Sequence, residues 1–104
     1  MDDYNPQLGT LTFYVGDHRQ PIFVFPEVTA FSAVNGQLMQ NGNDMTATMC
    51  GSSPSYSGNT LTGHDIGNGG TPMTAGAYIY YMTGTYDGGK KRTWYWIVNV
   101  LAIQ

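Results

Sequence analysis

Apolar and polar side chains alternate along most of this chain with a period of two, and turn residues cut the alternation into short segments. Residues 8–15 put Leu11, Phe13 and Val15 on one face and Thr10, Thr12 and Tyr14 on the other, which predicts a half-buried strand. Residues 16–21 read as a polar turn, and 22–25 as a short apolar strand stopped by Pro26, so 8–25 is expected to form a first hairpin. Residues 28–34 are expected as a third strand. Asn35-Gly36 after them suits the two positive φ angles of a type I′ turn, which would send 37–40 back antiparallel. Residues 41–44 form another polar turn, and 45–50 alternate as a fifth strand with Met45, Ala47 and Met49 to one side. Two long Gly- and Ser-rich loops then flank a small strand, Thr60-Leu61-Thr62.

The chain closes on a long hairpin, 77–86 and 92–103 around Asp87-Gly88-Gly89. Trp94, Trp96, Val98, Val100 and Ala102 share one face of the last strand; Tyr95, Ile97, Leu101 and Ile103 share the other with Asn99. Its partner shows the same doubling, Ala77, Ile79 and Tyr81 against Tyr78, Tyr80 and Met82. A strand apolar on both faces sits centrally between two layers or is covered by another subunit. About seven short strands with turns every eight to twelve residues predict an all-β fold, an antiparallel β-sandwich or small barrel with a long C-terminal hairpin. The 104 residues make one domain, with an extended Gly/Ser-rich loop region at 51–72.

Composition narrows the class. Only 11% of residues are charged, against the ~25% usual in soluble domains; a surface so weakly charged and rich in aromatics suits a protein whose neighbours cover it. The formal charge of −3 weighs against nucleic acid, because neutralising phosphates takes many Lys and Arg. Three basic residues, Lys90, Lys91 and Arg92, follow the hairpin turn and read as a solvated tip. Cys50 is the only cysteine, so no internal disulfide and no cysteine-based metal site can close. Met1–Pro6 lacks the basic and apolar regions of a secretion leader, and no apolar run reaches the ~18 residues of a membrane span. Synthesis in the cytoplasm without membrane insertion is therefore expected.

Motifs for catalysis are weak. His64-Asp65 could contribute to a metal site, but a calcium loop needs several oxygens at fixed spacing, and only Asp65 and Asn68 offer side-chain oxygen there. No nucleophile elbow, phosphate-cradling loop or carboxylate pair outside turns accompanies the two histidines, so neither an enzyme nor a cofactor is expected. Aromatic side chains carry the functional reading instead, since Trp and Tyr anchor protein interfaces and stack on sugars. Tyr78, Tyr80, Trp94, Tyr95, Trp96, Ile97 and Leu101 are the expected interface residues; Tyr56, Asn59, His64, Asp65 and Asn68 are the expected loop contacts. A carbohydrate-binding module using Trp94, Trp96, Tyr56 and the Asn-rich loops is the alternative.

The stretches Gly51-Ser-Ser-Pro-Ser-Tyr-Ser-Gly-Asn and Gly67-Asn-Gly-Gly-Thr-Pro, with the Thr/Tyr/Trp-rich hairpin 78–100, give the second half a composition that resembles the small β-rich virion proteins of tailed phages, of tail-fibre, tail-tip or decoration type. That resemblance implies a part made in the bacterial host cytoplasm that joins a virion, with other virion subunits and itself, as a homo-oligomer, for partners. A host-surface glycan or receptor is the further partner it implies.

Overall fold

The computed structural model describes residues 7–103; the Met1–Pro6 segment lies outside them. Ten strands and one short helix follow in order: β1 (Gln7–Tyr14), β2 (Ile22–Val24), β3 (Phe31–Gln40), β4 (Asn43–Asp44), α1 (Thr46–Met49), β5 (Cys50–Gly51), β6 (Ser55–Ser57), β7 (Thr60–Thr62), β8 (Asp65–Ile66), β9 (Gly76–Tyr86) and β10 (Lys90–Leu101). The fold is all-β, as the alternation predicts. A five-stranded sheet, β1-β10-β9-β3-β4, carries the long hairpin at its centre, a three-stranded sheet orders as β2-β7-β6, and β5 pairs with β8.

Three expectations fail, the first two for non-local reasons and the third for a local one. Residues 8–25 form no hairpin, because β1 lies parallel to β10 while β2 pairs with β7 in the smaller sheet. Gly16, at φ 97°, lets the chain leave one sheet for the other. Asn35-Gly36 does not turn. β3 runs straight through it, opposite Thr83 and Met82 of β9, and the glycine is there for space: a methyl at Gly36 would fall on the Tyr80 hydroxyl and within 2.8 Å of His64 Nδ1. The type I′ chemistry is spent one turn later, at Asn41 (φ 51°) and Gly42 (φ 81°), which join β3 to β4. Residues 45–50 are chiefly α1, since the Asp44 carboxylate accepts the Thr46 N–H at 2.9 Å and Oγ at 2.6 Å and bends the chain there. The 51–72 region is likewise less loop than expected, holding β6, β7 and β8.

Aromatic packing joins the layers. Phe25 meets Trp94 at 4.4 Å between centroids and Phe31 at 5.4 Å, and Phe23 meets Trp96 at 6.4 Å. Leu61 of β7 is fully buried between the sheets. Such ring pairs contribute about 0.5–1.5 kcal/mol each beyond the area they bury.

With β2, β7 and β6 as strands B, E and D, and β10, β9, β3 and β4 as G, F, C and C′, the strand order is that of an immunoglobulin-type sandwich. The hydroxyl of Tyr78, near the start of β9, donates to Thr74 O at 3.0 Å and lies 3.2 Å from the Thr74 N–H, which makes a tyrosine corner. Two residues on, where such domains carry the second cysteine of their inter-sheet disulfide, this chain has Tyr80.

Gly36→Ala is expected to cost about 2–3 kcal/mol through overpacking, seen as a lower urea midpoint at unchanged slope. Because the clash is with the Tyr80 hydroxyl, the Gly36→Ala, Tyr80→Phe double variant should lose less than the two single losses added together.

Candidate interaction surface

Strand alternation sorts the central hairpin into two rows. Even-numbered residues of β9 and β10 point at the small sheet, so Tyr78, Tyr80, Met82, Trp94, Trp96 and Val98 are buried. Odd-numbered residues point away, onto a face that nothing covers among the described residues. Register brings Tyr81 opposite Tyr95 and Gln37, and Ile79 opposite Ile97 and Met39, so an apolar band crosses three strands. The Tyr81 and Tyr95 rings lie 6.0 Å apart. A shallow groove of about 390 Å³ lies beside them, lined by Met39, Asn41, Ile79, Tyr81 and Ile97. Leu101 (41% exposed) and Tyr14 (51%), which face each other across β10 and β1, carry the band to the sheet edge.

The expected interface set therefore divides. Tyr95, Ile97 and Leu101 lie on this outer face. Tyr78, Tyr80, Trp94 and Trp96 do not: they are 0–5% exposed, on the face covered by the small sheet, in which β2 joins β7 and β6 of the 51–72 region and Phe23 and Phe25 meet the two Trp rings. They are core residues, and the Trp platform for a sugar goes with them. Ile79, Tyr81 and Met39 join the face in their place; the odd-numbered alternation of 77–86 was the signal for the first two.

The expected loop contacts divide as well. Tyr56 is exposed on β6. Asn59 is structural: its carbonyl accepts the Phe25 N–H at 2.9 Å, tying the β6–β7 turn to the end of β2. His64 and Asp65 point apart. His64 turns inward, donating its N–H to the Tyr80 hydroxyl at 2.8 Å with Nδ1 also 2.8 Å from that oxygen. Burial holds the His64 imidazole below its ordinary value, with the Asp44 charge pulling the other way. Burial pushes the Tyr80 phenol up, against the lowering effect of the His64 hydrogen bond. Asp65 instead meets His18 Nδ1 at 2.8 Å and accepts from Asn68 Nδ2 at 3.0 Å. His18 was legible only as a turn residue, since its partner lies 47 positions away. Among the described residues no three His, Cys, Asp or Glu side chains gather at metal-binding spacing. Cys50 is half-buried, and burial, then Asp44 and Asp65, push its thiol up to about 12.

No protein-family model matches the sequence, and no curated protein matches it. Among solved structures, the fold is similar to part of a 2,6-sialyltransferase of Vibrionaceae Photobacterium sp. JT-ISH-224, crystallised with the donor product CMP and the acceptor substrate lactose, at a TM-score of 0.53 and 10% identity. The match covers 97% of this chain but only 19% of that one, so the chain spans about a fifth of the enzyme's length. What the two share is the fold.

His64 also sets a pH dependence. Its folded-state pKa lies below the ordinary 6.5, so the unfolded chain binds the proton more readily. The stability this contributes is complete above that value and is lost as pH falls below it. The urea midpoint should drop between about pH 7 and pH 5, and His64→Asn, which still offers an oxygen to the Tyr80 hydroxyl but cannot charge, should flatten that drop.

Proposed function

We propose that this chain is a non-enzymatic assembly module that works through protein–protein contact on the outer face of its five-stranded sheet. The observation that carries the reading is the apolar band of half-buried Ile79, Tyr81, Tyr95 and Ile97 on the outer sheet face, continued by exposed Leu101. Apolar patches of this kind mark interaction sites, and rigid aromatic rings set among β-branched neighbours give contact area at little entropic cost. The low charge of the chain and its compositional likeness to tailed-phage virion proteins support a structural part of a virion, made in the host cytoplasm and joined to like subunits. A carbohydrate-binding role keeps Tyr56 as an exposed ring, but Trp94 and Trp96 are not available to it.

Light scattering after size exclusion tests the reading. The wild type is expected to associate as concentration rises. Ile97→Asp, which puts a charge in the centre of the band, should give a monomer with unchanged circular dichroism. A wild type that stays monomeric and captures no partner subunit, or an Ile97→Asp variant that associates as before, would overturn it. Glycan binding that depends on Tyr56 would favour the carbohydrate role instead.

A further inference from the structure

The open edges of this sandwich are unequally protected. β4 is two residues long, β6 is three, and β2 is three residues held between Pro21 and Pro26. Such short or proline-flanked edges offer little to a passing strand, and β3, which β4 covers only at Met39 and Gln40, is interrupted by a register shift at Phe31/Ala33 and tied at Phe31 and Leu38 to Gly58 and Met45. β1 is different. It has eight residues, Gln-Leu-Gly-Thr-Leu-Thr-Phe-Tyr, with no proline and no charge, and among the described residues it is bonded on one side only, to β10.

The direction of its free groups follows from the parallel ladder. In such a ladder alternate residues aim both backbone groups at the partner strand. The Val15 N–H reaches Leu101 O at 2.9 Å, so Leu11 and Phe13, in step with Val15, face β10. Thr10, Thr12 and Tyr14 therefore present N–H and C=O to the open edge. The Tyr14 carbonyl takes the Asp17 N–H at 3.0 Å, as a group turned away from β10 must.

We infer that β1 pairs antiparallel with the β1 of a second copy about a two-fold axis at Leu11, joining two five-stranded sheets into one. The inference is independent of the apolar band and needs none of Ile79, Tyr81, Tyr95 and Ile97. Self-pairing is favoured because the strand complements itself. With Leu11 against Leu11 of the second copy, Thr10 stands opposite Thr12, and both of those residues have free edge groups, so each pair exchanges two hydrogen bonds. Side chains agree as well: Thr10 and Thr12 meet on the outer face, where Thr–Thr pairs are favourable, and the two Leu11 side chains, each partly exposed in one protomer, cover one another on the inner face. No like charges meet, because the strand has none. An edge of this length buries less than the ~1,600 Å² of a standard interface, so pairing is expected at protein concentrations on the order of 100 µM.

Amide exchange measured by NMR on the full chain, at about 10 µM and about 1 mM, reads this directly. The Thr10 and Thr12 amides should exchange at least tenfold more slowly at the higher concentration, with those of Leu11 and Phe13 protected at both. Thr12→Pro removes one edge donor while leaving the ladder to β10 intact, and should abolish the concentration dependence at Thr10. If that variant fails to fold, Thr10→Lys with Thr12→Lys sets like charges across the axis and should do the same. Edge amides that exchange alike at both concentrations, or slowing that survives these variants, would overturn the inference. Ile79→Asp, in the band but one strand further from the edge, separates the two surfaces: slowing at Thr10 and Thr12 that persists in it supports edge pairing whatever becomes of the outer-face contact, and slowing lost there assigns association to the outer face alone and overturns the edge.

Discussion

The Tyr80 hydroxyl is the constraint around which the sandwich is arranged. A phenol buried on the inner face of the central strand must find hydrogen-bonding partners or cost about 1–3 kcal/mol. His64 supplies them twice over, through its backbone N–H and its ring. Room for the arrangement comes from two glycines: Gly36 beneath the hydroxyl, and Gly63, where a methyl would come within 2.8 Å of the Tyr80 ring. Among the described residues no buried side-chain polar atom is left without a partner. The clasp also joins distant parts of the chain, since the link between β7 and β8 is held to β9 right beside Gly36 of β3.

How much of this was legible in the sequence depends on whether a feature was local. The closing hairpin was readable, because its alternation and the Asp87-Gly88-Gly89 tip are properties of adjacent residues; all three tip residues do take positive φ. Thr60–Thr62 was readable for the same reason. Asn35-Gly36 misled, because the need for that glycine comes from Tyr80, far along the chain. The edge partner of β1 was hidden in the same way, lying at the opposite end of the sequence. For the surface, the rows of 92–103 could be sorted into two faces but not assigned as inner and outer. That assignment rests on how β2 and β7, both readable as strands, pair far apart in sequence, and on β6, whose Gly, Ser and Pro surroundings made it look like loop.

Carboxylates serve this fold mainly as turn anchors. Asp44 accepts from Gln37 and from Thr46, which lowers its pKa. Asp65 holds His18 and Asn68. Asp87 accepts the N–H groups of Thr29 and Ala30 at 3.0 and 3.1 Å, so the tip of the long hairpin is tied to the approach to β3. Acidic groups used in this way are drawn to the ends of strands, and the middle of the outer sheet face keeps its uncharged Tyr, Ile and Thr side chains.

A sandwich of this topology that joins its layers with a phenol and an imidazole, rather than two sulfurs, has no covalent crosslink for thiol exchange to open. Its one thiol, at Cys50, stays protonated at neutral pH and is therefore a sluggish nucleophile. Reductants and mild oxidants should leave the folded protein alike, so its integrity is indifferent to the redox balance of its surroundings and answers to acidity instead.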